Sequence, residues 1–264
     1  MKMKFFTSIA LVLLMLIAVS CEEPVVPPET ITYDLEVRSL LGVNGTVTFT
    51  ETSSTSVTVE INITGAPAGT HPAEICSNSA VEGGPTLVVL TPVNSAGKST
   101  TLTSSITYQQ IIALDGFVQV YLNGELPKEV IAIGDIGGNV LTTTSISYPM
   151  STAGSYGITG TALFQKRTNG HTLVTLNMNG LLSNAFYPAT INVGSIGTIG
   201  GGGVKKVLND VDGNTGKSFT NIRKLNNEVP ITYDNWLVYV GYINVYHTEI
   251  DNANIISQGN IGAN

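Results

Sequence analysis

The sequence predicts an all-β protein made of two antiparallel β-sandwiches in tandem. Apolar and polar residues alternate over residues 57–63, 117–121, 172–178 and 242–246. Thr, Val, Ile and Tyr dominate these segments, and clusters of Gly, Pro, Asn and Asp separate them. No convincing amphipathic helix of ten residues is evident. Regular short strands with turn signals between them are typical of β-sandwiches.

A segment in the middle of the chain recurs at its end. Residues 116–121 and 130–139 match residues 241–246 and 255–264, and both pairs share an offset of 125 positions. Each copy begins with a Gly before an apolar strand. Each copy closes with a Gly-rich stretch that ends in Asn, which we call the closing motif. The chain therefore contains a duplicated unit.

The duplication extends upstream of this segment with its elements in the same order. The offset only grows along the chain, which indicates longer loops in the second copy. Each unit is about 110 to 120 residues, a normal size for one domain. We therefore predict one domain over residues 31–139, a linker over 140–145 and a second domain over 146–264. The upstream matches are 31–33 with 146–148 and 45–49 with 160–164 at offset 115, 71–75 with 187–191 at offset 116, and 97–99 with 216–218 at offset 119.

The N-terminus predicts export and lipid anchoring. Residues 1–20 carry an early pair of lysines and then an apolar run of 15 residues, 5–19, which is too short for a membrane span of roughly 20. The small residues before Cys21 resemble the lipobox of bacterial lipoproteins, which implies a lipidated Cys21 at the mature N-terminus. An ordinary secretory signal with an incidental Cys is the alternative. Residues 21–30 contain three prolines and predict a semi-rigid tether.

Charge and cysteine content narrow the classes of partner. Removing residues 1–20 leaves ten basic and nineteen acidic residues, a net charge of −9. Such an acidic chain is a poor candidate for binding nucleic acid or an anionic membrane surface. With Cys21 lipidated, Cys76 has no intrachain disulfide partner. We expect an extracytoplasmic protein anchored to the outer membrane through Cys21, on its periplasmic or its cell-surface face.

Both units resemble the CHRD domain, a family named after chordin and also found in bacterial secreted proteins. The resemblance covers essentially the whole mature chain and rests on residues 83–90, 241–245 and 258–264. It implies an immunoglobulin-like β-sandwich related to the fold of copper–zinc superoxide dismutase. Residues 134–137 resemble the Gly-Asp-Leu-Gly turn of that enzyme. The resemblance implies no settled biochemical role.

The chain departs from this family at its histidines. Many members carry a His-Ile-His motif, and the matching positions here are Glu74 and Cys76 in the first unit. Tyr121 falls where a later family histidine would lie. In the second unit the corresponding residues are Thr190, Asn192 and Tyr246. The chain has three histidines, too few for a superoxide dismutase site. No metal and no cofactor are therefore predicted.

Two further sets of polar residues are candidates for sites or turns. Asp210, Asp212 and Asn214 have the oxygen spacing of a calcium loop, although the Gly and Glu that an EF-hand requires are Thr215 and Asn221. Asp and Asn at alternate positions also form turns.

Equivalent polar residues also occur in the closing motifs. Asp135 and Asn260 follow Gly134 and Gly259, and we expect these glycines to supply positive φ. The polar side chains are expected to bond their own backbone, which is a structural role.

The sequence favours a non-enzymatic protein. The leading hypothesis is a binding or scaffolding role at the cell envelope, with an unidentified protein or glycan as ligand and no nucleic acid partner. No catalytic residue is predicted, because no arrangement of nucleophile and base appears around Cys76. The alternative is a carboxylate- or metal-dependent enzyme that uses some of the nineteen acids on its loops.

Overall fold

The computed structural model describes residues 27–125, 128–197, 202–248, 250 and 254–264. The predicted signal segment 1–20 and Cys21 lie outside the described residues, as does most of the predicted tether. The described part of the chain is an antiparallel all-β protein, as predicted. No helix among these residues is long and apolar enough to cross a membrane.

Among the described residues, each half of the chain contains eight strands and one short helix. The first half contains β1 (Thr30–Val37), β2 (Asn44–Ser53), β3 (Ser56–Thr64), β4 (His71–Ser77), β5 (Thr86–Val93), β6 (Lys98–Thr103), α1 (Tyr108–Ala113), β7 (Asp115–Tyr121) and β8 (Val130–Gly137). The second half contains β9 (Leu141–Thr152), β10 (Thr159–Arg167), β11 (Thr172–Asn179), β12 (Phe186–Val193), β13 (Val204–Asp212), β14 (Lys217–Ile222), α2 (Tyr233–Leu237), β15 (Val240–Tyr246) and β16 (Ile255–Gly262).

The two eight-stranded sheets have the same strand order. The first runs β5-β4-β7-β8-β1-β2-β3-β6, and the second runs β13-β12-β15-β16-β9-β10-β11-β14. The second sheet closes into a barrel because Asp212 of β13 pairs with Lys217 of β14. The first sheet stays open between β5 and β6. Strand pairing therefore repeats element by element in the two halves.

The pairing within each sheet is continuous and barrel-like. In the first half, β1 pairs with β2 over residues 30–35 and with β8 through Glu36 and Val37. One strand thus bridges the two parts of the sheet. In the second half, β9 similarly joins β10 to β16. The sequence predicted two facing sheets in each unit, whereas the described ladders join all eight strands of each half.

Each sheet encloses its own apolar core. Val118 and Val120 lie in the first core, and Ile243 and Val245 lie in the second, as the alternation of the sequence predicted. All four side chains are fully buried. Burying a side chain of this kind contributes about 1.5 to 3 kcal/mol relative to leaving it in water. The apolar positions of the repeated strand therefore stabilise both halves in the same way.

The closing motifs need their glycines for two different reasons. Gly137 and Gly262 have positive φ, at 62° and 70°. Gly134 and Gly259 do not have positive φ, so the expectation for these two was wrong. A Cβ on Gly134 would lie 2.0 Å from the carbonyl oxygen of Asp34, and one on Gly259 would lie 2.3 Å from that of Pro149. Close approach of the neighbouring strand, and not positive φ, is what requires these glycines.

Two short helices were not predicted from the sequence. Each begins with a capping box, formed by Thr107 and Gln110 at α1 and by Thr232 and Asn235 at α2. In each box the Thr side chain accepts from the backbone of the third helical residue, whose own side chain accepts from the Thr backbone. The helices have six and five residues, too few to show helical periodicity. The capping boxes were their sequence signal.

Most of the predicted linker belongs to a strand. Residues 140–145 were expected to connect the two units, but Leu141 already pairs with Arg167, and Ser145 pairs with Gln165. The run of Thr and Ser there has high β propensity and finds a partner in β10. The second sheet therefore begins directly after the closing motif of the first.

Candidate ligand-binding cleft

The last Asn of each closing motif has the same structural role. Asn139 Nδ2 donates to the carbonyl oxygen of Asn78 at 2.7 Å, and Asn264 Nδ2 donates to that of Gly194 at 3.0 Å. Asn78 directly follows β4, and Gly194 directly follows β12. The motif thus ties the end of one strand to the loop after another. Duplicated residues perform the same task in both halves.

Asp135 and Asn260 also hold the loops that follow β4 and β12. Asp135 Oδ1 accepts from the backbone N–H of Ala80 at 2.8 Å, and Asn260 Oδ1 accepts from that of Ile196 at 2.8 Å. These bonds span 55 and 64 positions. The expectation that each side chain would bond its own backbone was therefore wrong. Strand pairing brings a distant loop within reach of each side chain.

Asp135 has a second partner, from the other half of the chain. Its Oδ2 accepts from Arg167 Nη1 at 2.9 Å, and the Arg167 side chain has no exposed surface. Arg167 Nη1 also donates to the carbonyl oxygen of Asn139, and Arg167 Nε donates to Asn221 Oδ1 at 2.9 Å. A buried guanidinium needs such partners, because an unpaired buried charge is strongly destabilising. This ion pair joins the two halves.

Glu82 links the two halves at a second point. Its Oε1 accepts from the Asn209 side chain and from the backbone N–H of Asn221, both at 2.9 Å. Its Oε2 accepts from the Ser79 hydroxyl at 3.0 Å within its own loop. The loop between β4 and β5 is therefore fixed against β13 and β14.

Asp115 makes a third link between the halves. Its carboxylate accepts from Asn169 Nδ2, lies 3.3 Å from His171 Nδ1 and lies 3.7 Å from Arg223 Nη1. All three partners belong to the second half. Together with Arg167 and Glu82, Asp115 holds the two sheets in a defined relative position.

A cleft of about 990 Å³ lies beside these links. The first half contributes β5, α1 and the loops next to them, and the second half contributes β13, β14 and the turn after β14. Its charged lining residues carry both signs. The cations are Lys206, Arg223 and Lys224, and the carboxylates are Glu82, Asp115 and Glu228. Clefts between structural units are common positions for ligand sites.

The acidic and basic groups of the cleft differ in how far they are already paired. Glu82 and Asp115 accept bonds from the opposite half. Lys224 Nζ lies 2.9 Å from Glu228 Oε2, and this bond lowers the pKa of the Glu228 carboxyl. The Arg223 side chain is 63% exposed, and its nearest carboxylate oxygen is 3.7 Å away. Arg223 is therefore placed to donate to a ligand with acceptor oxygens.

A buried polar cluster surrounds Glu74, one of the positions that the family resemblance singled out. Glu74 Oε1 accepts from the Tyr121 hydroxyl and from Gln119 Nε2, the latter at 2.8 Å. Its Oε2 accepts from the Thr86 hydroxyl at 2.9 Å, and Cys76 Sγ lies 3.6 Å from Oε1. The structure thus brings together three positions noted from the sequence and adds Gln119 and Thr86.

The protonation states in this cluster follow from burial and hydrogen bonding. Burial would raise the pKa of Glu74, but the bonds from Tyr121, Gln119 and Thr86 outweigh it and the pKa is lowered. Burial, and then the nearby Glu74 carboxylate, raise the pKa of Cys76 to about 12. The same two causes raise the pKa of Tyr121. A thiol in this state donates a hydrogen bond and is a poor nucleophile.

The matching cluster in the second half carries no charge. The Thr190 and Tyr246 hydroxyls lie 3.0 Å apart, Asn192 Nδ2 donates to Thr190 Oγ1 at 2.9 Å, and Asn244 Nδ2 lies 3.2 Å from the Tyr246 hydroxyl. All four residues are buried. The same strand positions therefore hold polar side chains in both halves, with a carboxylate only in the first.

The histidines lie in three separate places. His71 is buried, and its ring nitrogens lie 2.7 Å from the Leu122 carbonyl oxygen and 3.0 Å from that of Pro67. His171 lies at the contact between the halves, and His247 packs between two tyrosines. Within the described ranges, no group of three or more His, Cys, Asp or Glu side chains could hold a metal ion.

The candidate calcium residues lie at the hairpin between β13 and β14. Asp212 ends β13, and its Oδ1 accepts from the backbone and side-chain nitrogens of Asn214 at 2.8 and 3.1 Å. Gly216 has a φ of 69°, and its N–H donates to the Asp212 carbonyl oxygen. Asp210 is exposed on the strand. This arrangement forms a turn, and calcium binding at it stays a prediction.

The residues that join the two halves were missed by the sequence reasoning. Glu82, Arg167 and Asn221 showed no motif, because their partners in the other half lie 28 to 139 positions away. One signal was present at Asp135, where the matched position in the second closing motif is the uncharged Asn260. A charge found in one copy alone was a sign of a partner outside the repeat.

Comparisons with known proteins give no information on the function of this chain. No protein-family model, curated protein or solved structure matches the chain. The resemblance to CHRD domains therefore stays a prediction from the sequence. The geometry described above supplies the arguments that follow.

Proposed function

We propose that this is a lipid-anchored, extracytoplasmic protein with a non-enzymatic binding role at the cell envelope. Its ligand, a protein segment or a glycan, occupies the cleft between the two halves. In this proposal both halves are CHRD-type domains, each an immunoglobulin-like or superoxide-dismutase-like sandwich. The anchor is a lipid on Cys21, and it places the protein on the outer membrane.

The observation that carries the binding role is the cleft itself. It offers about 990 Å³ and is lined by both halves, so that a ligand there contacts the two sheets at once. Its walls are held in place by the links at Arg167, Glu82 and Asp115. A pre-formed cleft loses little conformational entropy when a ligand binds.

The chemistry of the lining favours a polar ligand. Lys206 and Arg223 supply donors on one wall, while Asn78 and Gln110 supply amide groups on the other. Glycans and extended peptides both present rows of acceptors that such donors can bind. The chain as a whole has a net charge of −7, whereas the cleft lining carries three cations and three carboxylates, so the cleft is less acidic than the chain as a whole.

A binding experiment with charge-reversal variants tests this role. Soluble protein of residues 27–264 would be assayed against a glycan array and against isolated envelope proteins. We expect a ligand whose binding is lost in the double variant Lys206→Glu, Arg223→Glu. The matched control is Lys98→Glu, an exposed lysine of β6 away from the cleft, which should leave binding unchanged. Equal binding by all three proteins would contradict a cleft site.

The anchor is tested separately in cells. The proposal expects that wild-type protein incorporates a labelled fatty acid and partitions with membranes. A Cys21→Ala variant should lose the label and either stay unprocessed or be released. Unlabelled wild-type protein with a mature N-terminus at another residue would show that the protein is secreted and has no lipid anchor.

A further inference from the structure

A second, smaller cavity lies at one end of the barrel formed by the second half. Its volume is about 210 Å³, and the loops after β9, β11 and β15 surround it. These loops lie at the opposite end of the strands from the turn between β10 and β11, which contacts the first half through Asn169. The cavity is therefore distinct from the cleft between the halves.

Three aromatic rings form the walls of this cavity. The Tyr156 and His247 ring centroids are 5.8 Å apart with planes inclined at 32°, and the Tyr187 and His247 centroids are 6.2 Å apart at 80°. The Tyr187 hydroxyl lies 3.0 Å from the backbone nitrogen of Leu182, which donates to it. Tyr187 is thus held by its own loop contact, and its ring presents a fixed apolar surface.

The floor of the cavity is apolar. Ile158 and Ile256 line it and are 6% and 1% exposed. Leu182 lies at the rim and is 68% exposed. None of the described residues that line the cavity carries a carboxylate, an ammonium or a guanidinium group. A charged ligand would have no partner here, so the lining favours a neutral ligand.

Two polar side-chain groups in the cavity have no hydrogen-bond partner in the described part of the chain. They are the hydroxyl of Tyr156, a residue that is 48% exposed, and the imidazole of His247. The backbone N–H of His247 is used, since it donates to the carbonyl oxygen of Asn254. The side chains of Tyr156 and His247 can therefore each take up one polar substituent of a ligand.

The corresponding end of the first half is tied together by His71. His71 takes the position of Tyr187, and its ring nitrogens lie within hydrogen-bonding distance of the carbonyl oxygens of Pro67 and Leu122. Leu122 takes the position of His247. One buried side chain thus joins two loops there. In the second half, Tyr187 bonds only the loop of Leu182, and the other loop meets it through a ring contact.

We infer that the cavity at the end of the second barrel binds a small neutral aromatic ring with one hydroxyl group, as in a phenol. The ring packs between the aromatic walls and on the floor of Ile158 and Ile256. The hydroxyl lies at the mouth, where it bonds the His247 imidazole. About 210 Å³ accommodates one substituted six-membered ring, below the roughly 300 Å³ of common drug-sized sites.

A sugar ring fits this lining less well than an aromatic ring. A monosaccharide carries several hydroxyl groups, and each one that is buried without a hydrogen-bond partner weakens binding. Among the described lining residues, only two side-chain polar groups are free to bond a ligand. An aromatic ring instead gains from edge-to-face contact with the tyrosine rings.

The test is a titration of residues 27–264 with phenol, followed by NMR signals of the histidine and tyrosine rings. We expect saturable shifts at His247 and Tyr156 with a Kd of about 1 mM, as befits so small a ligand. Tyr156→Ala should weaken binding about threefold to tenfold, since it removes one aromatic wall of the cavity. The matched control is Leu41→Ala at the corresponding position of the first half, which should leave the affinity unchanged.

Two further arms define the ligand class. The variant His247→Phe should remove the preference for phenol over toluene while keeping the apolar part of binding. Methyl glucoside should bind more weakly than phenol. The inference is overturned if methyl glucoside binds more tightly than phenol. It is also overturned if folded Tyr156→Ala protein, checked by its thermal midpoint, binds phenol as the wild type does.

Discussion

Asp135 and Asn260 occupy the same place in the two halves, yet only Asp135 carries a charge. Both hold the loop after a matched strand, through backbone N–H groups at 2.8 Å. Asp135 also pairs with the buried Arg167 of the other half. The comparison teaches that shared contacts of the repeat build each sheet, whereas residues that differ between copies mark where the two halves meet.

Glu74 and Thr190 make a second such comparison. Both lie at the centre of a buried polar cluster with a tyrosine from the neighbouring strand. The first cluster holds a carboxylate that accepts several hydrogen bonds, and the second holds only neutral groups. We therefore expect the two halves to respond differently to acid, although their strand order is the same.

The largest effect is expected from removing the buried guanidinium. Arg167→Met should lower the free energy of unfolding by about 3 kcal/mol or more, because Asp135 would keep its charge without its partner. Denaturant unfolding would measure this change. Lys166→Met is the control, since the pair of Lys166 with Asp234 is exposed and such pairs contribute about 0–1 kcal/mol. Equal losses in both variants would contradict the role of Arg167.

Replacing Asp135 and Asn260 each by the residue of the other closing motif should change the free energy of unfolding by unequal amounts. Asp135→Asn keeps the bond to Ala80 but leaves Arg167 without a carboxylate, so the free energy of unfolding should fall by about 2 kcal/mol. Asn260→Asp places the new charge at an exposed position and should change stability by less than about 0.5 kcal/mol. Thermal or urea unfolding distinguishes the two. Similar losses in the two variants would show that the charge does not distinguish the halves.

Glu74 should make the first half sensitive to acid. Its pKa is lowered from the ordinary value of 4.5, so the folded state binds the proton less readily than the unfolded state. The resulting stability is fully present above pH 4.5 and is lost as the pH falls through the lower folded pKa. Glu74→Gln should cost about 1–3 kcal/mol at pH 7 and should remove this part of the pH dependence.

Unfolding curves between pH 7 and pH 3 would test this. Thr190→Val in the second cluster is the control, because it removes a polar group without removing a charge. Its loss of stability should be nearly independent of pH. Parallel pH profiles for wild type and Glu74→Gln would count against the charged cluster.

The smallest effect is expected at Cys76. The thiol is fully buried and its pKa is raised to about 12, so iodoacetamide at pH 8 should leave folded protein almost unmodified. The same reagent should modify Cys76 fully in denaturant, as mass spectrometry would show. Rapid modification of folded protein would mean that the first cluster opens to solvent.

Much of the fold was open to prediction from the sequence, because it depends on local alternation and on the repeat. The segments around Val118 and Ile243 alternate with period two, and burial of one face follows from that period. Matching offsets along the chain predicted two units with the same elements. The capping boxes at Thr107 and Thr232 were present as well, although the helices were too short to be recognised by periodicity.

The candidate cleft could not be predicted from local sequence patterns. Its walls depend on pairs such as Glu82 with Asn221 and Asp135 with Arg167, which lie 139 and 32 positions apart. Neither alternation nor the repeat offset specifies a contact between unlike copies. The first sheet is open between β5 and β6, whereas β13 and β14 close the second sheet. This difference likewise depends on how each sheet curves.

By itself the sequence determined the all-β class, which face of the alternating strands is apolar, and that one unit recurs along the chain. These properties arise from neighbouring residues and from the period of a β-strand. The tertiary structure alone decided which side chains of the two copies meet. Arg167 illustrates the reason: its guanidinium is buried only because the second sheet is placed against the first closing motif. A buried charge is tolerated only where a partner lies within hydrogen-bonding distance, and here that partner is remote in the sequence.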